Sequence, residues 1–136
     1  MLRVYSPLTV EEERLVRRSV DVGFPVHREL GPGFKERIHE EAFCLELSSR
    51  GMSFERQKRI DVRYKQQSIP GQKVDLIVEG TVLIELKSVP RLRRIHKAQV
   101  ISYLKTTGLR VGLVMNFNSE WFKTGIRRVV YTPSRR

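Results

Sequence analysis

Residues 74–87, VDLIVEGTVLIELK, decide how this chain folds. Two runs rich in Val, Ile and Leu flank the tripeptide Glu-Gly-Thr at 79–81, a pattern that predicts two strands joined by a hairpin loop. The same stretch carries Asp75, Glu85 and Lys87. Because burying a lone charge is costly, these three side chains must either face solvent or lie against one another.

The length of the hairpin loop sets the register of the two strands. With a three-residue loop Val78 faces Val82, and counting back places Asp75 directly opposite Glu85. A two-residue loop would instead place Asp75 opposite Ile84. We expect the three-residue loop, and directly opposed residues share a face with Cβ atoms roughly 4.5–5.5 Å apart.

Two carboxylates in direct opposition repel each other, so this arrangement calls for a cation between them. Lys87 is one candidate, because side chains alternate along a strand and Lys87 therefore shares the face of Glu85. A divalent metal is the other candidate, and carboxylate and carbonyl oxygens suit Mg²⁺ or Mn²⁺.

The composition indicates a basic globular protein that forms a single domain over residues 1–136. Hydrophobic residues make up 40% of the chain and charged residues 30%, enough for a core and a soluble surface. The formal net charge of +11 indicates a polyanionic partner, most simply nucleic acid. A basic, highly soluble surface without a partner is the alternative.

Cysteine content and hydropathy indicate where the protein resides. Cys44 is the single cysteine, so no intrachain disulfide forms and a reducing compartment fits. The sequence shows no signal peptide, transmembrane run or lipidation motif. We therefore expect a cytoplasmic protein that has no membrane partner.

Hydrophobic periodicity and turn residues predict the other elements. A first helix begins near Thr9 and is kinked or divided at Pro25. The second helix carries two adjacent stripes, Phe34, Ile38, Ala42 and Leu45 in one and Glu36, Glu40, Phe43 and Leu47 in the other. The predicted helices lie at 9–30, 34–50 and 92–107, and the predicted strands at 54–65, 74–78, 82–87, 110–117 and 126–131.

This order defines an α/β fold with a mixed central β-sheet flanked by helices. The step from strand 82–87 through helix 92–107 to strand 110–117 is a β-α-β crossover, which makes those two strands parallel. The strand at 54–65 alternates apolar and charged residues, so we expect it to be half exposed.

The spacing Asp75, nine residues, Glu85, one residue, Lys87 resembles the active site of the PD-(D/E)XK nuclease superfamily. The predicted order also resembles the restriction-endonuclease-like core of that superfamily, α-β-β-β-α-β. Val74 stands where the motif often has proline, which binds nothing. The resemblance extends from about Val10 to Val130.

Two further motifs narrow the resemblance. The segment GPGFKERIHEEAF at 31–43 resembles the signature of the GxxExxY proteins, with Gly33 and Glu36 matching and His39 in place of tyrosine. The segment QVISY at 99–103 resembles the QxxxY motif of RecB-like nucleases.

The resemblance implies metal-dependent hydrolysis of phosphodiester bonds in DNA, with Mg²⁺ or Mn²⁺ as cofactor. A metal held by Asp75, Glu85 and the backbone carbonyl of Leu86 would polarise the phosphate and acidify water. Lys87 would position or deprotonate that water, or stabilise the developing charge. Glu36 would approach the metal, directly or through water. A surface ion-pair cluster is the alternative for the trio, and a first-turn helix acid for Glu36.

The helix at 92–107 carries the residues expected to contact nucleic acid. Gln99 and Tyr103 lie four residues apart and project together; the resemblance makes them active-site supports, and packing at the helix–sheet boundary is the alternative. Four basic residues precede or open this helix and suit phosphate contacts, unless they only form a solvated helix start: Arg91, Arg93, Arg94 and Lys97.

Two other functions fit the same sequence. One is a catalytically inactive nucleic-acid-binding module of this fold, and the other is a basic subunit that binds an acidic protein. Cutting both strands of DNA often takes two copies of a small nuclease domain, so a homodimer is one arrangement that this function allows, although the sequence shows no interface. Further basic residues extend the positive surface: Arg59, Arg63, Arg127, Arg128, Arg135 and Arg136.

Overall fold

The fold was taken from a computed structural model, which describes residues 6–133. Arg135 and Arg136, predicted to extend the basic surface, lie outside the described residues. The elements are α1 (Val10–Leu30), α2 (Glu36–Ser49), β1 (Phe54–Tyr64), β2 (Gln67–Val78), β3 (Val82–Lys87), α3 (Arg94–Thr107), β4 (Val111–Asn116), a 3-10 turn (Phe122–Gly125) and β5 (Ile126–Val130). This order is the predicted one.

The five strands form one mixed sheet in the order β1-β2-β3-β4-β5. β3 and β4 pair in parallel and are joined through α3, while the other neighbours are antiparallel. Val78 pairs with Val82 and Leu76 with Ile84, as the three-residue loop requires. The predicted fold class, crossover and hairpin register are therefore confirmed.

Helix α1 begins at a capping box and continues to Gly31. The Thr9 side chain accepts a hydrogen bond from the Glu12 backbone N–H, and the Glu12 carboxylate accepts one from the Thr9 backbone N–H. These bonds satisfy two of the donors left free at a helix start. The helix runs unbroken through Pro25, so the predicted division there is wrong.

Helix α2 buries only one of its two predicted stripes. Phe34 and Leu45, from the stripe that begins at Phe34, are largely exposed. The buried face contains His39, Phe43 and Leu47, and Phe43 packs edge-on against Phe117 beyond β4. Of the second stripe, Glu40, Phe43 and Leu47 are buried, while Glu36 at the start of the helix is exposed.

Two cores sandwich the sheet between the helices. On one face α1 and α2 pack against β2, β3 and β4, where Val78, Ile84 and Leu113 are buried. On the other face α3 covers Leu83 and Val114. The carboxyl end of β3 and the start of α3 therefore meet at one edge of a rigid scaffold, which positions residues 85–97. Within residues 6–133 no helix has both the length and the apolar character needed to cross a membrane.

Strands β1 and β2 continue past the rest of the sheet. β2 pairs with β3 only over residues 76–78, so residues 59–73 form a two-stranded ribbon, called the arm below. Every residue of the arm except Ile60 is exposed, including Val62 and Tyr64. The prediction of a half-buried strand at 54–65 therefore fails beyond Ile60, because within residues 6–133 no helix buries the arm past that residue.

Candidate active site

The ladder between β2 and β3 ends where the two carboxylates begin. Beyond the last pair, Leu76 with Ile84, the Glu85 carboxylate Oε1 accepts a hydrogen bond from the Asp75 backbone N–H at 2.9 Å. The Asp75 carboxylate Oδ2 accepts one from the Leu86 backbone N–H, also at 2.9 Å. The backbone of the opposite strand thus fixes each carboxylate, and each keeps a second oxygen outside these bonds.

Glu85 is an acid buried beside another acid. Only 4% of its surface is exposed. Burial, and then the negative charge of Asp75, raise the pKa of Glu85 to about 8, although the Asp75 backbone N–H and the Lys87 charge act in the opposite direction. The Lys87 Nζ lies 3.9 Å from the Glu85 Oε2. The three side chains expected to meet on one face do meet, and their geometry favours an additional cation.

The two carboxylates suit Mg²⁺, which takes only some of its ligands from the protein, better than a metal whose ligands all come from the protein. Within the described part of the chain, no three side chains of the His, Cys, Asp and Glu types converge on a metal position. Mg²⁺ is commonly bound through one or two carboxylates, with water and substrate phosphates as the other ligands. Asp75 and Glu85 fit that pattern, and Leu86, the predicted carbonyl donor, lies next to Glu85 in β3.

Glu36, the first residue of α2, faces the same region. It lines an open cleft of about 500 Å³ together with Asp75, Glu40, Arg56 and Gln57. Partial desolvation raises the pKa of Glu36, and the Asp75 charge adds to this effect while the Lys87 charge opposes it. Glu36 therefore lies near the carboxylate pair.

Gln57 in β1 is a site residue that the sequence did not reveal. Its side-chain Nε2 donates to the Asp75 Oδ1 at 3.2 Å and to the Glu40 Oε1 at 2.6 Å. Glu40 is buried, and its other oxygen accepts from the Arg56 Nε at 2.7 Å. Gln57 stands in a charged, polar stretch with no motif around it, so no sequence signal marks it.

His39, which stands in place of the tyrosine of the GxxExxY signature, packs in the core, and its Nδ1 lies 3.5 Å from the Ser88 hydroxyl. Its ring is fully buried and stacks on Phe117, with centroids 4.8 Å apart. Its Nε2 lies 3.0 Å from the Gly31 carbonyl oxygen and makes the hydrogen bond between them. Burial lowers the pKa of His39, because desolvation disfavours the charged ring. The histidine therefore locks the start of α2 against the core.

Gln99 and Tyr103 contact each other, as their spacing predicts. The Gln99 Nε2 donates to the Tyr103 hydroxyl at 2.9 Å. Desolvation, followed by the charges of Glu85 and Asp75, raises the pKa of Tyr103. Tyr103 is buried in the core beneath α3, so it packs at the helix–sheet boundary and also lies within electrostatic range of the carboxylates.

A buried asparagine fixes the loop between β3 and α3. The Asn116 side chain accepts from the Val89 backbone N–H at 3.1 Å and donates to the Val89 carbonyl at 2.9 Å. At the helix start, the His96 Nδ1 accepts from the Arg93 backbone N–H. The four predicted phosphate-contact residues are exposed along this loop and first helical turn: Arg91, Arg93, Arg94 and Lys97.

Comparison with known protein families identifies the class. A family profile of the PD-(D/E)XK nuclease superfamily matches residues 13–129. The chain belongs to this superfamily, whose members typically use divalent metals and act on nucleic acid. Searches of curated proteins and of solved structures find no match.

Proposed function

We propose that this protein is a Mg²⁺- or Mn²⁺-dependent nuclease that hydrolyses phosphodiester bonds in DNA. The observation that carries the proposal is the meeting of Asp75 and Glu85 across the hairpin, with the Lys87 amine 3.9 Å from Glu85. Membership of a nuclease superfamily supports the same chemistry.

Phosphodiester hydrolysis needs a water in line with the leaving oxygen and positive charge where the phosphate gains negative charge. When bound, the divalent ion would supply that charge and make water more acidic. Asp75 and Glu85 would hold the ion, and the backbone amides that bond them keep their orientation fixed before substrate arrives. The Leu86 carbonyl would add a ligand, and Glu36 would approach directly or through water.

Lys87 would act on the attacking water. Its side chain is largely buried beside Glu85, so little bulk water screens its charge. From there the amine would position the water, take its proton, or stabilise charge that develops on the phosphate.

Helix α3 and the loop before it would contact the substrate. Gln99 would orient the Tyr103 hydroxyl, and Tyr103 would support the carboxylates or contact phosphate. Basic residues at the start of a helix meet the positive end of its dipole, an arrangement that a bound phosphate relieves. The residues expected to hold phosphates are Arg91, Arg93, Arg94 and Lys97.

The segment at 31–43 further suggests the GxxExxY group within the superfamily. A cytoplasmic location and a homodimer that cuts both strands of a duplex also belong to this proposal.

Cleavage assays test the catalytic residues. Plasmid, linear and single-stranded DNA, with RNA for comparison, would be incubated with Mg²⁺ or Mn²⁺ and with EDTA. We expect Glu85→Gln and Lys87→Ala to lower the cleavage rate by about 10²-fold or more, because each removes a group needed at the reacting phosphate. Matched controls are Glu120→Gln and Lys123→Ala in an exposed loop, which should leave the rate unchanged. Equal activity in all four variants would contradict the proposal.

A second candidate function is binding of nucleic acid without cleavage. The net charge of +11 and the exposed basic residues favour it. Affinity that falls steeply with salt, without metal-dependent cleavage, would support this alternative. The absence of any salt-dependent DNA binding would instead favour an acidic protein as the partner.

A further inference from the structure

Strand β1 contains a backbone conformation that side-chain-bearing residues rarely adopt. Gln57 has φ +51°, in the left-handed region, while Arg56 pairs regularly with Leu76 and Lys58 with Val74. Between those two pairs the ladder is interrupted at the level of Gln57 and Asp75. Such a conformation is unfavourable for a residue with a side chain and persists only where the surroundings hold it. Strain of this kind therefore lies directly opposite a candidate metal ligand.

At the left-handed residue Gln57, the side chains of β1 and β2 change the face of the sheet to which they point. Residues three apart in a regular strand point to opposite faces. The Lys58 Nζ nevertheless bonds the Glu55 Oε2 at 2.7 Å, across such a spacing. Val74 and Ile77 in β2 are also three apart, yet both pack in the core under α3. The turn at Gln57 thus changes which face the strands present.

The turn is accompanied by two hydrogen bonds from one amide. The Gln57 Nε2 donates to Asp75 at 3.2 Å and to Glu40 at 2.6 Å. Both acceptors are carboxylates, so only the NH₂ end of the amide can make these bonds. Arg56 holds the other oxygen of Glu40. A continuous chain of bonds therefore ties Asp75 to helix α2.

We propose that Gln57 is a positioning residue for the nuclease proposed above, on which this inference rests. Its amide holds the Asp75 carboxylate in the orientation that binds the divalent ion. A carboxylate oxygen has two lone pairs, so it accepts this bond and still binds a cation; metal-binding carboxylates are commonly hydrogen-bonded in this way. The strained backbone conformation directs the Gln57 amide toward both Asp75 and Glu40.

Replacement of Gln57 by glycine separates the effect of the left-handed backbone from the effect of the side-chain amide. Glycine adopts a positive φ without strain, so Gln57→Gly keeps the turn and removes the amide. We expect stability close to that of wild type, because relief of the strained backbone offsets the lost hydrogen bonds, with Mn²⁺ affinity by calorimetry and DNA cleavage rate each lowered about 10–100-fold. The matched control is Gln66→Gly in the turn between β1 and β2, where φ is +68°. This change should alter neither the Mn²⁺ affinity nor the cleavage rate.

Two further measurements do not depend on cleavage. The Leu86 backbone N–H bonds the same Asp75 carboxylate, so its hydrogen exchange should accelerate in Gln57→Gly and stay unchanged in Gln66→Gly. Gln57→Met keeps the side-chain length and the strain but lacks a donor. It should lose Mn²⁺ affinity as much as Gln57→Gly while being less stable.

The outcomes separate this inference from the proposed function. If the wild-type protein cleaves DNA and Gln57→Gly matches it in Mn²⁺ affinity, cleavage and Leu86 exchange, the positioning role is overturned and the nuclease stands. If the two Gln57 variants lose function only in proportion to lost stability, the role is structural and the inference is also overturned. If wild type neither binds Mn²⁺ nor cleaves, both proposals fall.

Discussion

At the scale of single residues, the hairpin accommodates charged groups in an apolar run because the backbone satisfies them. The side chains of Asp75 and Glu85 take the place of the next ladder bonds, each bonding a backbone N–H of the opposite strand. Lys87 offsets only part of their charge. The metal-free site therefore keeps an electrostatic cost that a proton or a cation removes.

That cost makes the stability of the metal-free protein depend on pH. The pKa of Glu85 rises from an ordinary 4.5 to about 8 on folding, so the folded protein binds this proton more tightly than the unfolded chain. The stabilisation is complete below pH 4.5 and is lost as pH rises through 8. We expect Glu85→Gln to flatten this decline, which chemical denaturation in EDTA from about pH 5 to 9 would measure.

The control for this prediction is Glu120→Gln, in which an exposed loop acid changes. It should keep the wild-type slope of unfolding free energy against pH. Parallel slopes for wild type and Glu85→Gln would show that Glu85 is not the titrating group. Mg²⁺ should stabilise wild type more at about pH 8 than at about pH 5, because the ion competes with the proton for the carboxylates.

The residues of the trio were predictable because they depend on local rules. Alternation along a strand and the length of one loop fix which side chains share a face, and both rules hold between Leu76 and Lys87. Gln57 was not predictable, because its position depends on a left-handed backbone in a strand. Nothing in a run of charged and polar residues signals that local turn.

At the scale of elements, the site depends on the short loop between β3 and α3, which the Asn116 side chain fixes by hydrogen bonds. The loop after β3 carries the basic residues toward α3, and Asn116 at the end of β4 bonds both backbone groups of Val89. It also accepts from the Asn118 backbone N–H at 3.2 Å. One buried amide therefore links the ends of the two parallel strands.

We expect Asn116→Ala to destabilise the protein by about 2 kcal/mol or more, because partly buried backbone groups lose their partners. The same change should speed hydrogen exchange over residues 88–93, while exchange in α1 responds only to the global loss. Denaturant unfolding and amide exchange measure both effects. Asn118→Ala is the control, because the bond at that position uses the Asn118 backbone. Equal effects of the two changes would contradict the role of the Asn116 side chain.

The order of elements was predictable from periodicity and turn residues, but the facing of α2 was not. The first stripe is the more apolar by sequence, yet the buried face is the one that carries Phe43 and Leu47, where Phe43 and His39 contact Phe117. The 3-10 turn buries Phe122 while Trp121 beside it stays exposed. Helix existence follows from local sequence, whereas orientation depends on which distant side chains are available to fill the core.

At the scale of the whole molecule, part of the positive charge lies on the arm, which leads into the site. The arm at 59–73 carries four basic residues and one acid, and β2 continues from it directly into Asp75. Arg59 lies directly opposite Lys73 in the ladder, and like charges in that position repel. The sequence showed the net charge, but the location of the arm depends on how far β2 extends past β3.

The arm should therefore contribute to nucleic-acid affinity. Within residues 6–133 its basic side chains form no ion pairs, so they remain available to phosphates. A two-stranded ribbon also fits the major groove of B-form DNA. A triple change to glutamine would test this contribution at three positions: Arg59, Lys65 and Lys73.

We expect the triple variant to bind duplex DNA more weakly, with a shallower dependence of log affinity on log salt. The slope should fall by about 0.9 for each phosphate that the variant no longer neutralises.

The control triple makes the same change in net charge at exposed positions on α1 and the loop before β5: Arg17, Arg28 and Lys123. If both triples reduce the slope equally, only the total charge matters and the arm has no particular role. If only the arm triple reduces it, the ribbon beside Asp75 contacts the phosphates, and the substrate lies along the edge of the sheet where the two carboxylates meet.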